Sequence, residues 1–247
     1  MRKIKLTIAY DGTLFGGWQV QNNTLSIQEL IEKALSVLLR EKVSVFSAGR
    51  TDAGVHAQGQ TAHFTTSSNL DLRRLILSTN ALLPPEIKLL QADEVPSDFH
   101  ARFSALGKIY HYRLHLASSI DPFKRLYSYH IPYSLDLDAL KNSTDYFLGT
   151  HDFTAFTNEA HRGSAAKNPV RTLHRLSFVE EEGGIRLEFE GEGFLYKMVR
   201  NIVGTLLDVA RGKLTAEKIP EIFATRDRRC APMSAPPQGL ILMQVLY

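Results

Sequence analysis

The stretch Phe46–Phe64, FSAGRTDAGVHAQGQTAHF, decides the fold because a polar, glycine-bearing loop separates two strand-like runs within it. The runs, Val43–Ala48 and Thr61–Thr65, are predicted to be short strands. Between them, Arg50 and Asp52 place a guanidinium and a carboxylate on the same loop. The stretch therefore predicts a pair of strands and marks its loop as the first place to look for chemistry.

The segments around this pair alternate between strand and helix. Upstream, Lys3–Tyr10 places apolar side chains on one face, as a half-buried strand does, and Ser26–Leu39 has apolar residues at helical spacing. This helix opens with a serine followed three residues later by a glutamate, a capping box that fixes its start. Downstream, residues 70–83 form a second predicted helix that stops at two prolines, and Ile87–Val95 returns as a strand. The resulting order, strand–helix–strand–strand–helix–strand, resembles a ferredoxin-like unit of about 95 residues.

The rest of the chain repeats this kind of order in part. Its predicted elements are the strand Lys108–Leu116, the helix Leu135–Phe147, the strands Arg171–Val179 and Ile185–Glu190, a long helix over residues 196–212 and a closing strand over residues 239–247. The simplest account is an α+β fold with two ferredoxin-like or RRM-like halves, residues 1–104 and 105–247. We expect a mixed, mainly antiparallel sheet and a central basic cleft, with the catalytic loop in the first half.

Composition limits the class of protein. Hydrophobic residues make up 44% of the 247 residues, enough for a substantial core, and the net charge of +3 is compatible with a nucleic-acid partner without pointing to one. A single cysteine, Cys230, excludes an internal disulfide and a thiolate metal cluster and fits a reducing cytosol. No apolar run approaches the roughly 18 residues of a membrane span. We expect a soluble, cytoplasmic protein with no membrane partner.

Positive charge is concentrated in one place, the basic loop of residues 161–175. This stretch holds four basic residues and no acidic one: Arg162, Lys167, Arg171 and Arg175. A charge run of this kind is commonly a solvated surface. The alternative interpretation is a loop that contacts phosphates.

Motifs for metals and cofactors are missing from the sequence. His111 and His115 are four residues apart, but on a predicted strand, where about 3.3 Å per residue separates them by about 13 Å. No G-x-S-x-G, phosphate loop or dinucleotide fingerprint occurs. We therefore expect neither a metal nor a cofactor.

Asp52 is the candidate that these exclusions leave. A carboxylate can act as a nucleophile or a base, or it can simply accept hydrogen bonds from nearby amides in a turn. Arg50 within reach would keep Asp52 ionised, as a nucleophile requires, although the same pair could be an ordinary structural salt bridge. From local features alone, both interpretations of this loop stay open.

Two further segments have features of a nucleic-acid site. Residues 99–114, FHARFSALGKIYHYRL, interleave aromatic rings with Arg102 and Lys108, a pattern suited to stacking on bases and holding phosphates. The alternative is a strand whose tyrosines belong to the core. In residues 193–204, GFLYKMVRNIVG, Arg200 lies near the core side of a predicted helix, where an arginine needs a carboxylate partner.

Six segments together resemble one family. AGRTDAGVHAQGQ, FHARFSALGKIYHYRL and GFLYKMVRNIVG resemble the three signature regions of the tRNA pseudouridine synthase A family, and YDGTLFGGWQVQ, HDFTAFT and APPQGLILMQVLY also fit it. They occur in the family's order and span nearly the whole chain, so the chain is identified as a member on this resemblance. The resemblance implies these roles: Asp52 as the catalytic aspartate, Arg50 as the arginine that displaces the target base, Tyr110 as the stacking partner of that base, Arg200 as the cation that pairs with the aspartate, and Phe194 and Leu195 as pocket lining.

The resemblance also implies the reaction and the partners. The family converts uridine to pseudouridine at positions 38, 39 and 40 of the tRNA anticodon stem-loop, and it forms homodimers in which one tRNA touches both subunits. Arg102, Lys108 and the basic loop would hold the tRNA backbone. Asp52 could attack C1′ of the sugar, attack the base, or remove a sugar proton. Rival interpretations are a non-catalytic RNA-binding module and an aspartate-dependent nucleosidase.

Overall fold

The computed structural model describes residues 1–158 and 168–247. The chain forms two compact units, the first made of Met1–Leu106 with Ile241–Tyr247 and the second of Gly107–Leu240. The predicted boundary between residues 104 and 105 lies close to the end of the first of these segments. Residues Ile241–Tyr247, most of the predicted closing strand, group with the first unit.

The first unit has the predicted strand–helix–strand–strand–helix–strand order. Its elements are β1 Arg2–Tyr10, α1 Ile27–Leu39, β2 Phe46–Ser47, β3 His56–Thr66, α2 Leu72–Leu82, β4 Ile87–Val95 and the closing strand β10 Leu240–Leu246. Strand β1 lies between β4 and β3 and is antiparallel to both. Strand β3 also pairs antiparallel with β2 and parallel with β10. This is the ferredoxin-like strand order with one extra parallel strand.

The local sequence explains how these elements begin and what they bury. In β1, the alternate side chains Ile4, Leu6 and Ile8 are fully buried, as the alternation predicts. Helix α1 begins where the capping box predicts, because the Ser26 hydroxyl accepts a hydrogen bond of 3.3 Å from the Glu29 amide. The buried face of the strand and the start of the helix are thus both set by short-range sequence.

The strand pair around the central loop differs from the prediction. The run Val43–Ala48 is a strand only at Phe46–Ser47, and β3 begins at His56 rather than at Thr61. The early part of β3 is a strand because β1 and β10 both pair with it, and such pairing cannot be seen in a local pattern. The loop between the two strands is therefore shorter than expected and is confined to Ala48–Val55.

The second unit is also α+β. Its elements are β5 Gly107–Leu116, β6 Tyr129–Ile131, α3 Leu137–Ser143, β7 Gly149–Asp152, β8 Val170–Glu181, β9 Gly184–Gly191, α4 Met198–Ala210 and α5 Lys218–Thr225. Strands β5, β9, β8 and β7 pair in that order and are antiparallel throughout, while β6 runs parallel to the end of β5. In both units the pairing is mixed or mainly antiparallel, which confirms the predicted fold class.

Some elements of the second unit differ from the prediction. Strands β6 and β7 were not expected, because three- and four-residue strands are too short to show a period. Helix α5 was not expected either. The predicted helix Leu135–Phe147 is a shorter α3 followed by a 3-10 turn at Thr144–Phe147. At the junction, the Ser143 hydroxyl donates to the Ala139 carbonyl at 2.6 Å, where the helix tightens.

Helix α4 is buried on nearly all sides. Every one of its residues except Asp208 is buried, and the buried set includes the polar side chains of Arg200, Asn201 and Thr205. Buried polar groups require hydrogen-bond partners, so this helix determines which segments pack against it. Across the two described ranges, no helix is both long enough and apolar enough to span a bilayer.

Candidate active site

The loop Ala48–Val55, named here the Asp52 loop, is held in place by hydrogen bonds between its backbone and strand β3. The Ala48 amide donates to the Thr61 carbonyl at 2.8 Å, which carries the β2–β3 pairing into the loop. The Gln60 side-chain amide donates to the Gly49 carbonyl at 2.8 Å. Both partners lie on β3, so the first part of the loop follows that strand.

The middle of the loop is anchored in the core of the first unit. The Thr51 carbonyl accepts from the Trp18 amide at 3.1 Å, and the Thr51 hydroxyl lies 2.8 Å from the buried Tyr10 hydroxyl. Burial raises the pKa of Tyr10 well above its usual range, so its hydroxyl stays protonated at neutral pH. Thr51, the residue before Asp52, is therefore held by a hydrogen bond to a neutral, buried tyrosine.

The glycine-rich segment YDGTLFGGWQVQ packs directly against this loop. A Cβ added to Gly17, whose φ is +96°, would lie 2.5 Å from the Thr51 carbonyl oxygen and 3.0 Å from the Asp52 carbonyl carbon. A Cβ on Gly12 would lie 2.0 Å from the Val55 carbonyl oxygen. Glycine is required at both positions because the two backbones approach too closely for a side chain. The segment is thus a brace for the loop, which its sequence alone did not show.

Asp52 itself lies at a turn with its side chain half-buried. Its carbonyl accepts from the Val55 amide at 3.1 Å, and Gly54 adopts a φ of +76° to complete the turn. Arg50, two residues earlier, is exposed. The turn interpretation is therefore right for the backbone. The half-buried carboxylate remains accessible on a firmly held loop, which is the arrangement that a nucleophile or base needs.

The predicted site residues divide between the two units. Those of the first unit are Arg50, Asp52 and Arg102; those of the second are Lys108, Tyr110, Phe194, Leu195 and Arg200. Arg102 is exposed, and its guanidinium carbon lies 5.8 Å from the centre of the Phe103 ring. Lys108 is half-buried on β5, opposite Gly191 of β9.

The second unit brings two of its predicted residues, Tyr110 and Phe194, into contact. Tyr110 lies on β5 with only 8% of its surface exposed, and the Phe194 ring meets it edge-on with the ring centres 5.0 Å apart. Leu195, next to Phe194, is buried. The edge-on contact with Phe194 gives the Tyr110 ring an apolar support for stacking.

Arg200 is fixed by the backbone of a distant segment. It lies in the first turn of α4 with 9% of its surface exposed. Its Nε donates to the Ala235 carbonyl at 2.8 Å, and the Ala235 amide donates back to the Arg200 carbonyl at 2.9 Å. The sequence predicted a carboxylate partner and did not anticipate this carbonyl. The Nε bond fixes the plane of the guanidinium and so directs its terminal nitrogens.

The segment Ala231–Pro236, named here the strap, is held by side chains that sequence reasoning missed. Arg228 donates to the Ala231 carbonyl at 2.7 Å and to the Pro232 carbonyl at 2.8 Å. It also donates to the Asn201 side-chain oxygen at 3.0 Å, and the Ser234 hydroxyl donates to the same oxygen. Partial burial lowers the pKa of the Arg228 guanidinium. In the sequence this segment is a proline-rich stretch before the closing strand, and nothing in it reveals these contacts.

Two further residues complete the attachment of the strap. A Cβ on Gly204 of α4 would lie 1.9 Å from the Met233 carbonyl oxygen, so the strap lies directly on the helix backbone. The Tyr112 hydroxyl donates to the Pro236 carbonyl at 2.7 Å. Burial raises the pKa of Tyr112 well above its usual range, so it remains a donor at neutral pH.

The basic loop lies partly outside the described residues, which exclude Arg162 and Lys167. Arg171 donates to the Asn168 carbonyl at 2.8 Å. Arg175 forms ion pairs of 3.1 Å with Glu188 and with Glu190. For Arg175 the pairing with two carboxylates favours a structural role over contact with phosphate.

Among residues 1–158 and 168–247, no group of three or more His, Cys, Asp or Glu side chains is placed to hold a metal ion. A family model described as tRNA pseudouridine synthase matches residues 6–104 and 144–247. The tRNA pseudouridine synthase A 1 of Protochlamydia amoebophila is 57% identical over 248 residues, covering 100% of this chain and 97% of the relative. The chain belongs to the tRNA pseudouridine synthase A family.

Other relatives match this family member over its full length. The tRNA pseudouridine synthase A of Acetivibrio thermocellus is 44% identical over 247 residues and covers 100% of both chains. That of Chlamydia trachomatis serovar A is 45% identical over 249 residues, covering 100% of this chain and 92% of the relative. The resemblance seen in the sequence motifs is confirmed, and with it the class of enzyme, an isomerase that modifies tRNA.

Proposed function

We propose that this synthase converts uridine to pseudouridine at positions 38, 39 and 40 of the tRNA anticodon stem-loop, with Asp52 as its catalytic carboxylate. The observation that carries the proposal is the half-buried Asp52 side chain on a loop braced by Trp18 and Gly17, within the motif GRTDAG. The full-length identity to relatives named tRNA pseudouridine synthase A supports the substrate class.

The chemistry needs a carboxylate and no redox partner. The N1–C1′ bond of uridine breaks, the base turns, and C5 joins C1′; C5 then loses a proton and N1 gains one, so atoms and electrons balance. A carboxylate near an electron-poor C1′ serves such a step as it does in glycosidases. Asp52 would attack C1′, attack the base, or remove a sugar proton.

The remaining roles follow the resemblance residue by residue. A target base must leave its stack, which costs a few kcal/mol. Tyr110, supported edge-on by Phe194, would stack on the everted base, and Arg50, exposed beside Asp52, would fill the space that the base leaves. Arg200 would supply the cation that the family pairs with its aspartate. Leu195 would line the pocket.

Contacts with the rest of the tRNA would be electrostatic. Arg102 and Lys108 would hold the phosphate backbone without reading sequence, together with Arg162, Lys167 and Arg171 of the basic loop. A homodimer in which both subunits touch one tRNA is the expected assembly. The cytoplasm is the proposed location because the substrate is tRNA.

Replacing the Asp52 carboxylate tests the central claim. We expect Asp52→Asn to bind an anticodon-arm RNA with unchanged affinity while product formation falls by at least about a thousandfold, since the amide neither attacks nor accepts a proton. Product is measured by tritium release from C5-labelled uridine, and Asp98→Asn, at an exposed aspartate of the same unit, is the control. Normal turnover by Asp52→Asn would reject the proposal.

The same experiment separates the rival functions. A nucleosidase would release free uracil, which mass spectrometry detects, whereas an isomerase leaves the nucleoside mass unchanged. A purely RNA-binding protein would bind the arm and release no tritium even in its wild-type form. Either result would contradict the proposed isomerase.

Removing the Arg50 side chain tests its separate role. We expect Arg50→Ala to keep its affinity for the anticodon arm and to slow the single-turnover rate, because base eversion becomes harder. A fluorescent base analogue at the target position reports eversion directly. Complete loss of RNA affinity would instead assign Arg50 to backbone binding.

A further inference from the structure

A group of five rings in the first unit forms a continuous cluster, named here the aromatic patch: Phe46, His63, Phe99, His100 and Phe103. The ring centres of His63 and His100 are 4.6 Å apart, and those of His100 and Phe103 are 4.4 Å apart. The outer rings face solvent, with Phe103 78% and Phe46 54% exposed. Exposed aromatic rings in one continuous group are typical of a binding surface.

Strand pairing and hydrogen bonds hold the inner part of the aromatic patch in place. Phe46 belongs to β2 and lies opposite His63 of β3, with the two rings stacked at 5.4 Å. His63 Nδ1 accepts a hydrogen bond of 3.2 Å from the Ala101 amide, which ties the next segment to the strand. Lys3 Nζ donates to the Phe99 carbonyl at 2.9 Å. A ring held in this way loses little freedom when it contacts a ligand.

The charge around the patch suits a nucleotide. Burial lowers the pKa of His63 to about 4, and burial together with Lys3 lowers the pKa of His100. Both imidazoles are therefore uncharged at neutral pH and present aromatic faces. The Arg102 guanidinium, 5.8 Å from the centre of the Phe103 ring, adds a positive charge at the exposed end.

We propose that the aromatic patch binds an unstacked base of the RNA substrate other than the reacting uridine, with the base against Phe103 and Phe46 and its phosphate at Arg102. Neutral rings beside the Arg102 cation match a nucleobase linked to a phosphate. Strand β2 leads directly into the Asp52 loop, so the patch adjoins the proposed catalytic segment in the chain. The ligand class rests on the proposed function, since RNA is the substrate that the function supplies.

Two variants of Phe103 separate base stacking from general apolar contact. We expect Phe103→Leu to weaken binding of an anticodon-arm RNA about tenfold and to raise KM more than it changes kcat, because one stacked base is lost. Phe103→Trp, which keeps a π face, should bind at least as tightly as the wild type. The control is Phe123→Leu at a phenylalanine that is 90% exposed and lies in the second unit, outside the patch.

A direct probe identifies the base. With 2-aminopurine placed in turn at each non-target position of the loop, one position should be quenched by the wild type and recover fluorescence with Phe103→Leu. Equal affinity of the Leu and Trp variants, with no change at any probe position, would overturn the proposal. So would a shift in dimer dissociation in sedimentation equilibrium with RNA affinity unchanged, since the patch would then be a protein interface.

These outcomes are distinguishable from failure of the proposed function. If the isomerase itself were wrong, the wild type would release no tritium from labelled tRNA. If only the base site were wrong, wild-type turnover would be normal and Phe103→Leu would match it in KM. Arg102→Gln provides a second test of the base site. Loss of its phosphate contact should make the RNA affinity less dependent on salt concentration.

Discussion

The Asp52 loop and the strap are two irregular segments that differ in what mainly holds them. The loop is held by close approach of backbones, with Gly12 and Gly17 leaving room for it, together with hydrogen bonds to the Gly49 and Thr51 carbonyls. The strap is held mainly by polar side chains, those of Arg228, Asn201 and Tyr112, which satisfy its carbonyls and hydroxyls. The stability of the Asp52 loop should therefore respond most to added side-chain atoms. The stability of the strap should respond as well to the removal of hydrogen-bonding groups.

The largest expected effect is from adding one methyl group under the Asp52 loop. Gly17→Ala should destabilise the protein by about 3 kcal/mol, because a left-handed φ and a Cβ placed 2.5 Å from the Thr51 carbonyl oxygen both oppose it. The free energy of unfolding is measured by urea denaturation. Product formation should fall as well, since Asp52 shifts with its neighbour.

The matched control for this prediction is Gly212→Ala. Gly212 also has a positive φ, +67°, but a Cβ there would meet nothing within 4 Å. It should therefore cost only about 1 kcal/mol, from backbone strain alone. If the two substitutions were equally destabilising, close approach would not be what holds the loop.

The strap has one contact of the same kind, and it sets the next largest effect. Gly204→Ala would ordinarily stabilise a helix by about 1 kcal/mol, since alanine is the better helix former. Here the added Cβ would lie 1.9 Å from the Met233 carbonyl oxygen, so we expect a loss of about 2 kcal/mol instead. Urea denaturation gives the sign of the change in the free energy of unfolding. A gain in stability would show that the strap shifts to accommodate the added Cβ without cost.

Much of the fold could be predicted because its causes are local. The alternation in β1 and the capping box before α1 depend on residues a few positions apart, and both are as predicted. The start of β3 could not be predicted, because residues from His56 onward become a strand only through pairing with β1 and β10. Strands as short as β6 and β7 carry no readable period.

The candidate site shows the same division. The motif around Asp52 could be recognised, but local physics alone favoured an ordinary turn over a catalytic loop. The Arg200–Ala235 contact joins residues 35 positions apart, and nothing in either segment identifies the other as a partner. Gly17 belongs to the glycine-rich segment YDGTLFGGWQVQ, and only the three-dimensional approach to Thr51 reveals it as a brace. Contacts distant in sequence account for what the pattern missed.

Neighbouring arginines test how far the strap depends on one side chain. Arg228→Gln should destabilise the protein by about 2 kcal/mol, because it leaves the carbonyls of Ala231 and Pro232 and the Asn201 oxygen short of donors. It should also lower kcat more than it raises KM, since the strap carries the Ala235 carbonyl that orients Arg200.

Arg229→Gln provides the control for this substitution. Arg229 is exposed and pairs with Asp227 two residues away, so its loss should leave both the unfolding transition and kcat unchanged. If the two variants behaved alike, the strap would be held by its backbone fit to α4 rather than by Arg228.

The smallest expected effects come from removing one tyrosine hydroxyl that contacts each segment. Tyr112→Phe leaves the Pro236 carbonyl without its donor and should cost about 1.5 kcal/mol, whereas Tyr10→Phe should cost about 0.5 kcal/mol because the Thr51 hydroxyl can rotate toward another partner. Both tyrosines are buried, so the two substitutions share the same loss of one polar atom from the interior. Urea denaturation of the two variants side by side measures the difference. A larger loss for Tyr10→Phe than for Tyr112→Phe would contradict this comparison, and a loss above that of Gly17→Ala would make the hydrogen bond the main support of the Asp52 loop.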